Sequence, residues 1–268
     1  MIQTFKFMER LAAPRLDLSR LRAASDAALD LLLPPRALDE TSRHRAAVQT
    51  HGLSLEAWGR ISFIEAPFCE TCGGPFEREP GAGARCGACA ARPPAFDRGR
   101  AACLYDEGAR DLILKLKHAD RTDLAALFAR WLARAAADIL PEADAILPVP
   151  LHPTRLLARR YNQTAEIARP LARLAGRPYF ADALRRTRAT PSQGGKSADG
   201  RRRNVAAAFT VPEGWRRRVA GRRLLLIDDV LTTGATLEGC ARALKAAGAA
   251  GVDVAVVARV KLAPARSI

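Results

Sequence analysis

The sequence contains no long hydrophobic run, because no stretch approaches the roughly 18 apolar residues that a membrane-spanning helix needs. Its first residues, Met1 to Arg10, lack the apolar segment of a secretory signal peptide. No Gly-x-Gly-x-x-Gly follows a predicted strand, and no RNA-recognition, KH or helix-turn-helix signature is present. These absences disfavour a membrane protein, a secreted protein and a dinucleotide-binding enzyme, and they predict a cytoplasmic protein.

The composition suits one substantial domain with a small module beside it. The chain has 268 residues, of which 49% are apolar, so it can bury a sizeable core. Its formal charge of +15 is uneven, because twelve Lys or Arg and two acids lie between Arg185 and Arg223. Such a cluster favours a polyanionic partner: pyrophosphate, nucleic acid, or both. Solvated arginines that reflect a GC-rich genome are the alternative.

The most informative segment is an apolar run, 224–227, followed by two adjacent carboxylates and a small, hydroxyl-rich turn. A helix-compatible stretch over 237–247 comes next and is closed by Gly248. The pattern predicts a buried strand over 223–228 that leads through a loop into a helix N-terminus, where backbone N–H groups favour a phosphate. The carboxylates would accept hydrogen bonds from hydroxyls or help to hold a magnesium ion. A ribose with a 5′-phosphate would use both features, because its phosphate suits the helix N-terminus and its hydroxyls suit the carboxylates.

The segment is similar to the phosphoribosyl-pyrophosphate (PRPP) motif of type I phosphoribosyltransferases over the whole motif, and its spacing does not fit a P-loop. The alternative is that Thr232 or Thr233 is an ordinary helix N-cap. The candidate PRPP-binding residues are Asp228, Asp229, Thr232, Thr233, Gly234, Ala235 and Thr236.

From Arg100 onward the predicted strands and helices alternate, which favours an α/β fold with a mostly parallel, twisted sheet flanked by helices. The three loops richest in polar residues are predicted at the carboxyl ends of strands, where ligands of such folds sit. The expected strands are 101–105, 143–150, 205–211, 223–228 and 252–260, and the expected helices are 1–33, 108–118, 122–140, 162–176 and 237–247.

Four of the six cysteines form two C-x-x-C pairs with thirteen residues between them, which is the spacing of a zinc ribbon. Four thiolates would close a tetrahedron around a structural zinc, whereas a redox dithiol is the alternative. Cys103 and Cys240 are expected to be packed apolar residues. The proposed zinc ligands are Cys69, Cys72, Cys86 and Cys89.

A weaker repeat lies just upstream of these cysteines. When positions are shifted by 32, Pro67 falls on Pro35, and the four ligands fall on Ala37, Glu40, Ser54 and Ala57. We therefore expect a degenerate ribbon that has lost its ligands, and one zinc per chain. Chance similarity in a sequence rich in Pro and Ala is the alternative.

Two further loops suit pyrophosphate. The strand over 143–150 leads into a proline-stiffened loop that would present backbone N–H groups and arginine to an anion, with His152 as a hydrogen-bonded turn residue. Residues 188–205 are basic and glycine-rich, which is the composition of a lid that a polyphosphate orders, or of a disordered linker. The candidates are Val149, Pro150, Leu151 and Arg155 in the first loop, and Arg188, Lys196 and Arg201 in the second.

Taken together, these segments resemble the ComF family of late-competence, phosphoribosyltransferase-like proteins over about 69–262. The resemblance is carried by residues 105–117, 148–163, 186–193, 203–209 and 224–260, and it departs at Arg160-Tyr161, where Gly-Phe is usual. It implies a type I phosphoribosyltransferase fold behind a zinc ribbon, with a structural Zn²⁺ and with Mg²⁺ bound alongside PRPP. It also implies a link to DNA uptake in natural transformation, through single-stranded DNA and the competence machinery.

This resemblance divides the chain into three parts. We expect an N-terminal helical segment with a possible degenerate ribbon over 1–62, the zinc ribbon over 63–95 and a phosphoribosyltransferase-like domain over 98–262. The PRPP site also resembles that of amidophosphoribosyltransferases, but Ile2 stands where such a glutaminase needs its N-terminal cysteine.

Two functional hypotheses remain from the sequence. The first is a phosphoribosyltransferase with an unknown acceptor, since no acid–base residue or nucleobase-recognition segment stands out. The second is a non-catalytic adaptor, for handling single-stranded DNA or for regulation, that retains the PRPP pocket.

Overall fold

The fold is given by a computed structural model that describes residues 37–39, 52–118, 121–187 and 208–261. The helix expected over 1–33, Glu40 of the degenerate ribbon and the first three residues of the strand expected over 205–211 lie outside the described residues. The side chain of Arg155 is not described either. The proposed lid residues Arg188, Lys196 and Arg201 also lie outside the described residues.

A four-stranded parallel sheet lies at the centre of the described chain. The strands are β1 (Gly99–Leu104), β2 (Ala145–Pro148), β3 (Arg185–Arg186), β4 (Phe209–Thr210), β5 (Arg223–Leu231) and β6 (Gly251–Arg259). The main sheet has the order β1-β6-β5-β2, and β3 pairs with β4 in a separate antiparallel ladder. Every residue of β6 is buried, as expected of a parallel strand that is covered on both faces.

Helices cover both faces of this sheet. They are α1 (Leu55–Gly59), α2 (Gly87–Ala91), α3 (Glu107–His118), α4 (Leu124–Ala135), α5 (Pro153–Arg159), α6 (Gln163–Leu174), α7 (Glu213–Val219) and α8 (Ala235–Ala246). On one face α3, α4 and α6 pack against Leu225 and Ile227. On the other face α8 and β4 pack against Leu224 and Leu226. Because strand side chains alternate between faces, the single apolar run of β5 supplies both cores.

The structure confirms the α/β class, a parallel sheet flanked by helices. The expected elements within the described residues are present, with most ends displaced by a few residues. The predicted strand end at Asp228 is wrong, because β5 continues to Leu231. Its neighbour β6 still offers partners beyond the carboxylates, since Val230 pairs with Ala258 and Leu231 pairs with Arg259.

Two further features differ from the sequence expectations. Four short helices, α1, α2, α5 and α7, stand where no helix is predicted, and α5 begins with the proline and N-cap signals of Pro153 and His152. We expected each of the three polar loops to follow a strand of the main sheet. The strand before the third loop, β3, belongs instead to the separate antiparallel pair. Among the described residues, no helix combines the length and the apolar character needed to cross a membrane.

Candidate functional site

The proposed ligand loops meet at one edge of the sheet. Strands β2 and β5 are parallel neighbours, so their carboxyl ends lie side by side. The backbone N–H of Val149, the first residue after β2, donates to the Ile227 carbonyl at 2.9 Å. This bond places the loop after β2 directly beside the two carboxylates of β5.

The two adjacent carboxylates have different surroundings. Asp229 is 7% exposed, and its Oδ2 lies 2.9 Å from the Lys117 ammonium at the end of α3. The side-chain amide of Gln163, at the start of α6, donates to the same oxygen at 3.1 Å. Asp229 is therefore paired and held in place by two other elements.

Asp228 has no comparable cation at bonding distance among the described residues. The backbone N–H of Asp229 donates to its Oδ1 at 2.9 Å. Burial and the charge of Asp229 raise the pKa of Asp228 to about 8, and the more distant charges of Lys117 and Arg186 oppose this shift only in part. The raised pKa favours the protonated form of Asp228 in the empty site, and a cation or hydrogen-bond donors beside it would lower this pKa.

The turn after β5 leads directly into the N-terminus of α8. Gly234 is the N-cap residue and has a φ of 78°, a left-handed conformation that glycine adopts without strain. The alternative in which Thr232 or Thr233 caps the helix is therefore wrong. The first helical bond runs from Glu238 N–H to the Gly234 carbonyl at 2.8 Å. The preceding N–H groups of the first turn have no intrahelical acceptor, which is the usual basis of anion binding at a helix start.

The loop after β2 is fixed by the segment that opens α6. The Val149 carbonyl accepts hydrogen bonds from the Asn162 side-chain amide at 3.1 Å and from the Thr164 hydroxyl at 2.7 Å. Pro150 and Leu151 follow as irregular backbone. His152 then caps α5, and its Nδ1 lies 2.8 Å from the Thr154 hydroxyl, in agreement with its expected role as a turn residue.

The structure thus gathers Asp228, Asp229, the 232–236 turn and residues 149–151 at one edge, while the proposed lid lies outside the described residues. Sequence reasoning assigned no site role to Lys117 or Gln163. Both stand within the segments that carry the family resemblance, but the pattern gives no sign that they would reach Asp229. A further polar atom, Gln163 Oε1, is buried there without a hydrogen-bond partner in the described part of the chain.

A second candidate site is formed by the four cysteines. Their sulfur atoms all lie within 4.8 Å of one another, and the Sγ atoms of Cys72 and Cys86 are 3.8 Å apart. A tetrahedral zinc with Zn–S bonds of about 2.3 Å separates its sulfurs by about 3.8 Å, so these residues fit zinc. Cys103 and Cys240 are fully buried in the two sheet cores, as expected of packed residues.

Arginines from the main sheet contact the segment 69–89 that carries the four cysteines, which we call the cysteine knuckle. Arg259, at the end of β6, donates from the same guanidinium nitrogen to the Cys72 carbonyl at 2.6 Å and lies 3.0 Å from its Sγ. Arg100 of β1 donates to the Glu70 carbonyl at 3.0 Å and pairs with its carboxylate at 2.7 Å. At Gly73 a Cβ would stand 2.7 Å from the Gly99 carbonyl, so only glycine permits this close docking.

Comparison with known proteins agrees with this geometry. The phosphoribosyl transferase domain family matches residues 180–266, a range that contains β5, the turn and α8. With the parallel sheet flanked by helices, this match defines a protein of the phosphoribosyltransferase fold class.

Two curated relatives narrow the class to a family. The DNA utilization protein YhgH of Escherichia coli K12 is 33% identical over 215 residues, which cover 75% of this chain and 91% of the relative. Competence protein F of Haemophilus influenzae is 32% identical over 200 residues, 72% of this chain and 85% of the relative. The chain belongs to the family of these proteins, the ComF family.

Solved structures overlap with the chain only partially. The glutamine PRPP amidotransferase of B. subtilis is 23% identical with a TM-score of 0.36, and the overlap covers 51% of this chain and 26% of that protein. The purine phosphoribosyltransferase of Pyrococcus horikoshii is 18% identical with a TM-score of 0.32, over 55% of this chain and 93% of that protein. The chain thus spans about a quarter of the amidotransferase, and overlaps this weak say nothing about activity.

Proposed function

We propose that the protein is a PRPP-binding, phosphoribosyltransferase-like protein of the ComF type that acts in DNA uptake or utilization. One observation supports the PRPP site above all. The turn 232–234 lies between Asp228, whose pKa is raised, and the N-terminus of α8, at the edge where β2 also ends. The names of the relatives support the link to DNA. A cytoplasmic location suits the free cysteines and a thiolate metal site.

In this proposal each part of the edge has one task. The 5′-phosphate binds the backbone N–H groups of the 232–236 turn, and the ribose hydroxyls bind Asp228. Asp229 serves as an anchor, because Lys117 and Gln163 both bind its Oδ2. The N–H groups after Val149 receive the pyrophosphate, and the cations of the 188–203 segment stabilise its charge as the C1–O bond breaks.

The surroundings of the two carboxylates limit how magnesium could bind at this site. The paired state of Asp229 leaves Asp228 as the free carboxylate of the motif among the described residues, so the acids do not form a dedicated two-carboxylate metal site. Mg²⁺ is usually bound by one or two carboxylates together with substrate phosphates. We therefore propose that magnesium enters with pyrophosphate and that Asp228 is the protein group near it.

Titration with Mg-PRPP, with pyrophosphate release followed in the same samples, tests binding and catalysis separately. We expect saturable binding, and we expect Asp228→Asn to weaken it at least about tenfold, since a bond to a charged group contributes roughly 1.5–3 kcal/mol. Asp111→Asn is the matched control, because that carboxylate is 63% exposed on α3. Pyrophosphate release that Asp228→Asn abolishes favours a transferase. Binding without turnover for any base or amine favours the adaptor.

A separate surface favours the DNA-handling function. Arg216, Arg217 and Arg218 on α7 and the following Arg222 are all exposed. The Arg218 guanidinium lies over the rings of Trp215 at 4.4 Å and Phe180 at 4.8 Å. Phe180 is buried and Trp215 is half-buried, so these rings hold Arg218 in position, and the exposed arginines supply the cationic surface that attracts a nucleic-acid backbone.

Binding of a labelled DNA single strand at several salt concentrations tests this surface. The triple substitution Arg216→Gln, Arg217→Gln, Arg222→Gln should weaken binding and reduce the slope of log K against log[salt] by about 2, as expected for three lost phosphate contacts. The control carries Arg110→Gln, Arg130→Gln and Arg173→Gln, three exposed arginines on other helices. An equal loss in both variants would exclude a specific surface on α7.

A further inference from the structure

The described residues upstream of the cysteine knuckle repeat its backbone at the constant shift of 32. Ser54, at the position of Cys86, has φ −68° and ψ 155°, whereas Cys86 has φ −67° and ψ 156°. Each is the N-cap of a five-residue helix, α1 or α2, and the helices end one residue before Arg60 and Arg92. The two segments therefore enter their helices with the same backbone conformation, and the helices end at equivalent positions, although Arg60 and Arg92 then differ in conformation.

Hydrogen bonds repeat with the same shift. The Leu38 N–H donates to the Gly52 carbonyl at 2.7 Å, and the Glu70 N–H donates to the Ala84 carbonyl at 3.0 Å. In the helices, Trp58 N–H donates to the Ser54 carbonyl at 3.0 Å and Ala90 N–H donates to the Cys86 carbonyl at 2.9 Å. The first pair of bonds joins residues that lie 14 positions apart in each segment, so a chance similarity of two short helices does not explain it.

Burial also corresponds. Ala37 and Cys69 are 2% and 0% exposed, and Ala57 and Cys89 are 5% and 7% exposed. Three of the four ligand positions thus have buried counterparts without a thiol, Ala37, Ser54 and Ala57, while the fourth counterpart, Glu40, lies outside the described residues. Something other than a metal must hold that segment together.

A carboxylate and a serine provide this cross-link. The Ser54 backbone N–H donates to Asp39 Oδ1 at 2.7 Å, and the Ser54 hydroxyl donates to Asp39 Oδ2 at 2.7 Å. The same hydroxyl accepts from the Ala57 N–H at 3.1 Å, so it also caps α1. In the cysteine knuckle the corresponding donor, the Cys86 N–H, points at the Cys69 sulfur at 3.2 Å.

We infer that the described residues within 37–60 form a second knuckle of the same fold, in which the Asp39–Ser54 bond pair replaces zinc. We call this pair of hydrogen bonds the Asp39–Ser54 clamp. Both residues are less than 10% exposed, and both carboxylate oxygens of Asp39 and the hydroxyl of Ser54 have partners. This knuckle withstands metal chelation and thiol oxidation, either of which opens its thiolate counterpart.

The two knuckles also support different parts of the domain. The cysteine knuckle docks on β1 and β6 through Arg100 and Arg259. The metal-free knuckle docks on the helical face, where Arg121 donates to the Leu38 carbonyl at 2.7 Å and the Lys115 ammonium donates to the Asp39 carbonyl. Its helix α1 places Trp58 against Phe63 and Trp131, with ring centroids 4.6 and 6.2 Å away. Each knuckle therefore opens without requiring the other to open.

Amide hydrogen exchange on the full chain tests the inference with matched pairs of amides. With a zinc chelator, Glu70 and Ala90 should lose protection by at least about tenfold, while Leu38 and Trp58 keep theirs. With Asp39→Asn in the zinc-loaded chain, the pattern should reverse. Metal analysis of the wild type should give one zinc per chain.

Three results of these experiments would contradict the inference. The inference is overturned if chelation exposes all four amides together, if Asp39→Asn leaves Leu38 and Trp58 as protected as before, or if the wild type holds two zinc ions. Ser54→Ala provides a second variant, since it removes the cap and one clamp bond but keeps the carboxylate. It should weaken protection of Trp58 without changing the zinc content.

Discussion

At the residue scale, the two neighbouring carboxylates of β5 show how position sets chemistry. Asp229 is buried with a lysine and a glutamine as partners, whereas Asp228 is left with the charge of its neighbour. In the proposed PRPP site the same side-chain type is thus a fixed anchor at one position and an adjustable ligand at the next. The contrast comes from α3 and α6, which deliver Lys117 and Gln163 to only one of the two.

The raised pKa of Asp228 predicts a pH-dependent stability. The pKa rises from 3.8 to about 8 on folding, so the folded state holds the proton more tightly than the unfolded state does. The free energy of unfolding therefore falls as pH rises from about 4 to about 8, and it stays lowered above that range. Asp228→Asn removes this loss.

Thermal unfolding across pH measures the effect. The Asn variant should melt at a higher temperature than the wild type at pH 8.5, by at least about 2 °C, the shift that roughly 1 kcal/mol produces in a chain of this size. Near pH 4 the two melting temperatures should converge. A variant that is less stable than the wild type at pH 8.5 would show that Asp228 is stabilised as a charge, contrary to this account.

At the element scale, β6 connects the four-cysteine cluster to the edge of the sheet that carries the two carboxylates. Arg259 ends this strand beside Cys72, and its ladder partner Leu231 ends the strand that carries the two carboxylates. A tetrathiolate zinc site carries a net negative charge, so the nearby guanidinium offsets part of it. We therefore propose that Arg259 acts as an outer partner of a zinc bound by the four cysteines.

Arg259→Met should accordingly lower zinc affinity by about 10–100-fold, which is the usual effect of losing an outer-shell partner of a metal ligand. Competition with a chromophoric chelator measures this affinity. Arg92→Met is the control, because Arg92 lies just after α2 on the exposed side of the same knuckle. Equal zinc affinity in wild type and Arg259→Met would mean that the guanidinium only packs against the thiolate.

Local patterns can be predicted well from the sequence, whereas contacts between elements that are distant in the chain cannot. The turn 232–236 and the four cysteines are contiguous or regularly spaced, so their residues could be assigned directly from the chain. Lys117 and Gln163 reach Asp229 only because α3 and α6 pack on the same face, which no local pattern reveals. The end of β5 was misplaced for the same reason, since β6 extends its ladder.

At the scale of the whole molecule, the proposed PRPP and DNA surfaces lie at opposite ends of β5. The carboxylates are near its carboxyl end, while α7 with its arginines precedes its amino end at Arg223. Asp228 lies five residues beyond Arg223, which corresponds to about 17 Å along a strand. Both ligands can therefore bind at once, so DNA should not displace PRPP by direct competition.

The most direct test of the PRPP site is calorimetric titration of the zinc-loaded wild type with Mg-PRPP at pH 7, in two buffers of different ionisation enthalpy. We expect one site per chain and release of a proton on binding, because the ligand ionises Asp228. The Asp228→Asn variant should bind more weakly and release fewer protons. The absence of saturable binding, or an unchanged isotherm and proton release in Asp228→Asn, would contradict the account.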